Sequence, residues 1–390
     1  MISVETALAQ IFALVSPVGT ETVGLADAHG RILRRPLVAT RNQPPFAASS
    51  MDGYAVCNPV RPSQRIQVIG EAAAGHAFKG VIAPGQALRI FTGAPIPAGA
   101  DRVIIQEDVT RDGDVITIGD TLDSARYIRD EGIDFKAGFT LTAPRRLTPS
   151  ELALIAAMNI SEVSVSKRPT VAIISSGDEL VMPGETPRPD QIIASNVFAL
   201  KALAEQEGAS AYILPIASDT EDSLRAVLAL AEDADLVITI GGASVGDHDL
   251  VGPVLEKLGA ERSFYKVAMR PGKPLMAATM GKSVVLGLPG NPVSAIVCGH
   301  VFMRPALRAM LGLPATSMIE NVAKVTVDLC ANGPRAHYLR AILGTGGTIT
   351  PLPDQDSALL RLLTSAEALM IRPAHDAPRK AGEQMKYIAL

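Results

Sequence analysis

The sequence predicts a multidomain protein in which one α/β domain lies between β-rich segments of the chain. Its 390 residues exceed the size of an average single domain. Between residues 169 and 314, strand-like runs alternate with helix-like runs, which is typical of an α/β domain. Before and after that segment, short β-like runs are separated by glycine- and proline-containing turns, which favours all-β structure.

The first two segments cover residues 1–45 and 46–139. The first begins with a short helix predicted over Val4–Leu14. The second is predicted to form a small barrel or sandwich, because short apolar runs are separated by turn residues. Its predicted strands are Arg65–Ile69, Ala87–Phe91, Arg102–Gln106 and Val115–Ile118. A helix over Thr148–Met158 follows, with its first residue as N-cap and Pro149 at the first helical position.

The third segment, 169–314, contains four strand–helix pairs. The predicted strands are Thr170–Ser175, Ala211–Ile216, Leu236–Ile240 and Ser283–Leu286. The helices that follow them are predicted over Ser195–Glu207, over Glu221–Ala231, over Leu250–Leu258 and after Pro292. This alternation predicts a parallel sheet with helices on both faces.

The fourth segment, 315–390, returns to short β-like runs and is predicted to form another small β-domain. Its predicted strands are Val322–Val327, Tyr338–Leu343, Thr348–Pro351 and Ala368–Ile371.

Composition excludes several classes of protein. The formal net charge of −4 argues against a general nucleic-acid binder. The three cysteines are far apart and the six histidines form no HExxH pattern, so an all-protein zinc site and a disulfide framework are not indicated. The first residues lack the pattern of a signal peptide, and no run of 18 apolar residues occurs, so we expect a soluble cytoplasmic protein.

The candidate site lies where the predicted parallel strands end. Ligands of open α/β sheets bind outside the carboxyl ends of the strands, so the loops at these ends should converge on one crevice. These loops span residues 175–179, 218–220, 241–249 and 288–292. The sequence contains neither a Walker pattern nor GxGxxG, so common mononucleotide and dinucleotide sites are not supported.

The loop 241–249 is the most informative of the four. Its glycines, Gly241, Gly242 and Gly246, allow close approach of backbone N–H groups to phosphate oxygens, and Ser244 adds a hydroxyl donor. The acidic residues that follow either cap a helix or bind a cation. Several acids beside a phosphate-binding loop would repel phosphate unless a divalent cation stood between them, so the loops indicate Mg²⁺. The acids concerned are Glu179, Asp219, Asp247 and Asp249.

Two further segments carry candidate residues. Lys266, Arg270 and Lys273 lie within eight residues and form either a solvated basic turn or a clamp for an oxyanion. In the second segment of the chain, Asp52 precedes a glycine and Thr92 lies in a similar loop. Each is either a turn residue that bonds its own backbone or a ligand contact.

Together these segments resemble the MoeA family, which includes the E domain of gephyrin. The matching motifs are PPF…SMDGYAV (44–56), RIFTGAPIPAGAD (89–101), ISSGDELV (174–181), SDT (218–220), GGASVGDHD (241–249), VAMRPGKP (267–274) and GLPGNPVSA (287–295). They occur in family order and span most of the chain.

The resemblance implies an elongated homodimer with four domains per subunit. Residues 169–314 would form a MogA/MoaB-like α/β molybdopterin-binding domain. Residues 1–45 and 140–168 would form a discontinuous N-terminal linker domain, and residues 46–139 an inserted β-domain. Residues 315–390 would form a C-terminal β-barrel-like domain. Molybdopterin adenylyltransferase and proteins that mature molybdoenzymes are implied as possible partners, whereas nucleic acid and membranes are not.

The resemblance also implies a reaction. Adenylylated molybdopterin and molybdate would be the substrates, and Mg²⁺-dependent cleavage of the pyrophosphate link would release AMP and leave molybdenum on the dithiolene. Asp219 and Asp249 would bind Mg²⁺. The implied catalytic residues are Asp52, Thr92, Glu179, Asp219, Asp249, Lys266, Arg270 and Lys273. The implied substrate-binding residues are Asp134, Gly241, Gly242, Ser244, Gly246, Asp247, Pro289, Gly290, Asn291, Pro292, Arg335 and Ser357. Of these, Arg335 and Ser357 match residues of the family's oxyanion site, and Asp52 and Thr92 would act across the dimer.

The chain departs from the family pattern at three places. Ala47 and Ala48 stand where an Asp-Asn pair is common, Ile133 replaces a glutamate, and Ala194 replaces an aspartate. Because the main acids are kept, an active transferase is favoured over two alternatives. One is a cofactor-binding or scaffold protein, and the other is a CinA-like pyrophosphatase, against which the SMDGYAV segment and the two β-domains argue.

Overall fold

The computed structural model describes residues 1–242 and 250–390. The chain begins with helix α1 over Val4–Leu14, as predicted, and the Ser3 hydroxyl caps it by accepting a hydrogen bond from the Thr6 N–H. The strands that follow are β1 (Thr20–Gly24), β2 (Ile32–Leu33) and β3 (Leu37–Val38).

The inserted β-rich segment is built on a six-stranded sheet in the order β8-β5-β7-β6-β10-β9, with a separate β4–β11 pair. Its strands are β4 (Ala48–Ser49), β5 (Gly53–Val56), β6 (Arg65–Ala72), β7 (Gln86–Ile90), β8 (Arg102–Ile105), β9 (Val109–Asp112), β10 (Val115–Ile118) and β11 (Ile128–Arg129). Alternating side chains of these strands fill two apolar clusters on the two faces of the sheet.

The chain then returns to the first sheet through β12 (Thr140–Leu141), β13 (Arg145–Arg146), helix α2 (Pro149–Ala157) and β14 (Glu162–Ser166). The strand order β1-β14-β2-β13 shows that segments on both sides of the inserted sheet build one structural unit. Helix α2 begins as predicted, because the side chains of Thr148 and Glu151 each accept a hydrogen bond from the other's backbone N–H.

The α/β unit contains a six-stranded sheet in the order β18-β15-β19-β23-β22-β20. Its strands, with three short ones outside this sheet, are β15 (Thr170–Ser175), β16 (Leu180–Val181), β17 (Ile192–Ile193), β18 (Ser210–Ile213), β19 (Leu236–Ile240), β20 (Glu261–Tyr265), β21 (Met269–Arg270), β22 (Met276–Met280) and β23 (Ser283–Leu288). Its helices are α3 (Asn196–Glu207), α4 (Glu221–Ala229), α5 (Val251–Lys257), α6 (Pro292–Cys298) and α7 (Arg304–Met310), and a π-helical turn over Gly299–Met303 joins the last two.

The sheet is mixed, whereas the sequence predicts a parallel one. The four predicted strands are parallel, but β20 and β22 extend the sheet as antiparallel strands. Strands β22 and β23 are joined by a two-residue turn at Gly281-Lys282. A connection this short can join only antiparallel neighbours, since parallel strands require a long crossover.

Apolar cores cover both faces of this sheet, as the strand–helix alternation predicts. Along β15, Val171 and Ile173 pack with α3, α6 and α7, whereas Ala172 and Ile174 pack with α4 and α5. Helix α1 also lies in the first of these cores, although its position in the sequence predicts that it belongs to the linker segment. No helix of the described residues is long and apolar enough to cross a membrane.

The C-terminal segment forms a small closed β-barrel, in line with the predicted β-domain. Its elements are β24 (Asn321–Val325), β25 (Ala336–Gly344), β26 (Thr348–Pro351), helix α8 (Leu360–Leu363), β27 (Ala368–Arg372) and β28 (Gln384–Ala389). The order β25-β26-β24-β28-β27 closes because β27 also pairs with β25. Strand β21 of the α/β unit adds to the barrel by pairing with β25 in parallel.

Candidate functional site

A cavity of about 420 Å³ opens at the carboxyl ends of β15, β19 and β23. This is the edge of an α/β sheet at which ligands bind. The predicted residues that line it are Glu179, Gly241, Gly242, Pro289, Gly290, Asn291 and Pro292. Three of the four loops that are predicted to converge therefore meet around one cavity. Ala194, one of the departures from the family pattern, also lines this cavity.

The two glycines after β19 are required by the backbone. Gly241 has φ +87°, and a Cβ there would lie 2.7 Å from the carbonyl oxygen of Ser176. Gly242 has φ +61°, and its Cβ would lie 2.6 Å from Cγ2 of Val251. Because a side chain would collide at both positions, this turn exposes bare backbone to the cavity.

The hydroxyl of Ser176 adds a polar group beside this turn. Its Oγ is buried and has no hydrogen-bond partner within residues 1–242 and 250–390. A ligand oxygen in the cavity would satisfy it. The other predicted residues of this loop, Ser244, Gly246, Asp247 and Asp249, lie outside the described residues.

Side chains from two other elements fix the turn before α6. Asn196, near the start of α3, donates from Nδ2 to the carbonyl oxygen of Gly290 at 2.7 Å. Asn291 Nδ2 donates to Ser357 Oγ at 3.1 Å, and the Val293 N–H donates to the Ser357 carbonyl oxygen at 3.1 Å. The structure thus brings the predicted residues Asn291 and Ser357 together, although 66 residues separate them in the chain.

Two acidic side chains meet beside the cavity. The Asp219 N–H donates to Asp178 Oδ1 at 3.1 Å, and the Asp178 N–H donates to Asp219 Oδ2 at 3.5 Å. This exchange holds the two carboxylates close together at the ends of β15 and β18. Among the described residues, no group of three or more His, Cys, Asp and Glu side chains is arranged to hold a metal ion.

The predicted basic residues lie where the α/β unit meets the barrel. Arg270 and Lys273 are exposed, and Lys266 is half-buried with its Nζ 4.9 Å from the centre of the Tyr265 ring. The next residue after Lys273, Pro274, lines the cavity.

Pairing of β21 with β25 places Arg270 opposite His337, two residues beyond Arg335. Burial, together with the nearby arginines Arg270, Arg372, Arg335 and Arg340, lowers the pKa of His337 to about 4. His337 is therefore neutral at pH 7, and the four arginines near it make this junction electropositive. Such a field favours an oxyanion.

Asp52 and Thr92 come together in the inserted sheet. The backbone N–H and the hydroxyl of Thr92 both donate to Asp52 Oδ1 at 2.8 Å. These two hydrogen bonds, together with the charge of Arg89, hold the pKa of Asp52 below its usual value. Asp134 lies in an exposed turn, where its N–H donates to the carbonyl oxygen of Gln43. Among the described residues, the cavity is lined only by the α/β unit, so this chain does not bring these three residues to it.

Family models match nearly the whole chain. A model of the MoeA N-terminal region (domain I and II) matches residues 2–159, and a model of the MoeA C-terminal region (domain IV) matches residues 322–390. Between them, residues 172–309 match a model described as a probable molybdopterin binding domain.

Curated relatives and solved structures agree with these models. The molybdopterin molybdenumtransferase of Nostoc sp. is 40% identical over 306 residues, which cover 75% of this chain and 70% of that relative. Molybdopterin molybdenumtransferase 2 of Mycobacterium tuberculosis is 35% identical over 380 residues, 94% of each chain. Two structures of the molybdopterin biosynthesis protein from Pyrococcus horikoshii cover this whole chain, with TM-scores of 0.83 and 0.86 at 29% and 25% identity.

Proposed function

The chain belongs to the MoeA family, and we propose that it is the transferase that inserts molybdenum from molybdate into molybdopterin, with adenylylated molybdopterin as the pterin substrate. The observation that carries this proposal is the position of the cavity. It opens at the carboxyl ends of β15, β19 and β23 and adjoins the basic residues at the barrel junction.

The cavity suits the pterin and its pyrophosphate. The turn at Gly241 and Gly242 has no side chains that would keep a phosphate away from the backbone. The Ser176 hydroxyl lies beside it without another partner among the described residues. Glycine-rich turns of this kind bind phosphates because several N–H groups can point to one oxygen.

The barrel junction suits molybdate, which is a tetrahedral dianion. Arg270, Lys273 and Arg335 supply positive charge there, and Ser357 supplies a hydroxyl held against Asn291. Charge-assisted hydrogen bonds to arginine are stronger than bonds between neutral groups, so these residues would give the site its oxyanion affinity.

The Asp178 and Asp219 carboxylates fit a divalent cation. Two carboxylates held side by side repel each other unless a cation lies between them, and neither forms an ion pair within the described ranges 1–242 and 250–390. We propose that they contribute to Mg²⁺ binding with Asp249. Bound there, Mg²⁺ would neutralise the charge of the pyrophosphate.

The proposal includes a cytoplasmic homodimer. Asp52 and Thr92 form a hydrogen-bonded pair that lies apart from the cavity of its own subunit. A second subunit could present this pair to the cavity, which would make the site composite.

Product analysis tests the proposed function. The protein is incubated with adenylylated molybdopterin, molybdate and Mg²⁺, and AMP and molybdenum cofactor are both measured. AMP release coupled to cofactor formation is expected. AMP release that does not depend on molybdate would indicate a pyrophosphatase. Binding of adenylylated molybdopterin without turnover would indicate a carrier or scaffold. Either result would contradict the proposal.

Removal of Arg335 tests the oxyanion half of the site. Arg335→Ala should raise the molybdate concentration needed for half-maximal activity by about 10- to 100-fold, since a hydrogen bond to a charged group contributes about 1.5–3 kcal/mol. Affinity for adenylylated molybdopterin, measured by calorimetry, should change far less. The control is Lys386→Ala, which removes a cation from the outer surface of the same barrel. Equal losses for both substrates in Arg335→Ala would count against an oxyanion role.

A further inference from the structure

Arg340 is the largest fully buried side chain of the described residues, with 1% of its surface exposed. It lies on β25 of the barrel, between Leu339 and Ala341, which face the barrel core. Burial of a guanidinium is unfavourable unless its hydrogen bonds are satisfied, so a buried arginine in a small barrel requires a specific set of acceptors.

Those acceptors all belong to the loop between β26 and α8. Nη2 of Arg340 donates to the carbonyl oxygens of Asp354 and Asp356 at 3.2 and 3.0 Å, and Nη1 donates to that of Leu359 at 3.3 Å. Its Nε donates to Oε1 of Gln355 at 3.3 Å. The guanidinium therefore lies inside the loop and holds it by four hydrogen bonds.

Gln355 completes the arrangement. Its Oε1 accepts a hydrogen bond from the Arg340 backbone N–H at 3.0 Å, and its Nε2 donates to the carbonyl oxygens of Arg340 and Leu352 at 3.0 and 2.9 Å. The loop is thus tied to β25 through both the backbone and the side chain of one residue.

This loop carries Ser357, which lies between two of the carbonyl groups that Arg340 holds. The Ser357 hydroxyl and carbonyl oxygen meet Asn291 and Val293 at the edge of the cavity. A shift of the loop would move the hydroxyl away from that edge.

We propose that Arg340 is a positioning residue for the oxyanion subsite. It holds the loop 354–359 so that the Ser357 hydroxyl reaches the cavity edge. This inference rests on the proposed function, since molybdate is the oxyanion concerned. Arg340 itself is buried and its side chain bonds to the loop, so it would act on the substrate only through Ser357.

Substitution by lysine separates the geometry of Arg340 from its charge. A lysine keeps the charge but has one nitrogen, which cannot reach acceptors spread around a planar guanidinium. Arg340→Lys should raise the KM for molybdate about 10-fold while the KM for adenylylated molybdopterin changes less than twofold. Met385→Ala serves as the control, because Met385 belongs to the core cluster of the same barrel, which includes no residue of the loop 354–359. That variant should lower Tm and leave both KM values unchanged.

A double variant tests whether Arg340 acts through Ser357. If it does, Arg340→Lys combined with Ser357→Ala should show the same KM for molybdate as Ser357→Ala alone. If the double variant instead raises the KM for molybdate by the product of the two single effects, the proposal is overturned.

Hydrogen exchange provides a test that does not depend on activity. The Val293 amide donates to the Ser357 carbonyl oxygen, so it should exchange at least about 10-fold faster in Arg340→Lys, and at the wild-type rate in Met385→Ala. An unchanged Val293 rate together with an unchanged molybdate KM overturns the proposal. If Arg340→Lys does not fold, Gln355→Ala removes a partner of the same loop and is expected to give the same two changes. A wild-type protein that forms no cofactor would contradict the proposed function alone, since the exchange measurement would still test Arg340.

Discussion

The Asp52 carboxylate shows how one neighbouring residue can lower the pKa of a solvent-accessible acid. Its side chain is accessible to solvent, yet both the backbone N–H and the hydroxyl of Thr92 donate to the same oxygen. Donors of this kind stabilise the ionised form, so the carboxylate remains charged to a lower pH than an ordinary aspartate.

Thr92→Val tests this pair. The substitution removes the hydroxyl but keeps the backbone N–H, which lowers the pKa of Asp52 more than the hydroxyl does. The pKa of Asp52, followed by carboxyl ¹³C NMR, should therefore rise part of the way to its ordinary value. A pKa that does not move would show that the hydroxyl does not interact with the carboxylate in solution.

Residues in glycine-rich loops could be selected from the sequence, but residues whose role depends on a distant partner could not. Gly241, Gly290 and Asn291 line the cavity, as predicted from their position after the carboxyl ends of the parallel strands. Asp178, in contrast, follows β15 within a predicted loop and was not selected, since its neighbour Asp219 is 41 positions away.

His337 and Arg340 carried no signal at all in the sequence. Both lie in β25, whose sequence predicts only a strand of a small β-domain. Only the pairing of β21 with β25 and the path of the loop 354–359 give them their neighbours.

At the scale of elements, several boundaries agree with the prediction from sequence. Helix α1 and strands β15 and β19 have the predicted bounds, and α2 begins after Thr148 as expected. The sequence does not predict β22 or the edge strand β20. Neither strand is followed by a helix, so the strand–helix alternation does not mark them, and only pairing through β22 to β23 places them in the sheet.

The turn after β19 offers a prediction at this scale. Gly241 and Gly259 have similar positive φ values, +87° and +81°, but only at Gly241 would a Cβ meet backbone. Gly259→Ala should therefore cost only the strain of a left-handed alanine, about 1–2 kcal/mol. Gly241→Ala should destabilise the protein further and weaken binding of adenylylated molybdopterin by at least about 10-fold. Thermal unfolding and calorimetric titration of both variants measure these effects, and equal affinities would show that the turn does not contact the ligand.

At the scale of the whole molecule, a buried ion cluster joins the linker unit to the α/β unit. Glu207, at the end of α3, has 4% of its side chain exposed and pairs with Arg304 and Arg308 of α7. It also pairs with Arg146 of β13, 3.1 Å away. One carboxylate thus offsets the charges of three arginines from two units.

Glu207→Gln should lower the free energy of unfolding by about 3 kcal/mol, because removing one member of a buried pair leaves the others uncompensated. The matched control is Glu205→Gln on the same helix, where an exposed pair with Lys201 should contribute less than about 0.5 kcal/mol. Denaturant titration of the two variants gives the difference. Similar free energies of unfolding for both variants would mean that the buried cluster does not stabilise the contact between the two units.

The order and type of the four segments could be predicted from local patterns, since strand–helix alternation and turn-separated β-runs are local properties. Contacts between segments could not be predicted in this way. Helix α1 lies in the core of the α/β unit, more than 150 positions from its strands, and β21 pairs with a strand of the barrel. No periodicity within either segment specifies such a partner.

The core that contains α1 also contains Tyr338, Leu369 and Ile388 of the barrel. This shared core has a consequence for protein engineering. A chimera of two relatives joined near residue 315 would combine half of one core with half of another, and mismatched apolar surfaces would face each other beside the cavity. Exchangeable modules of this chain must therefore carry α1, the α/β unit and the barrel together, while the inserted sheet, with its own two apolar clusters, is the part that can be replaced alone.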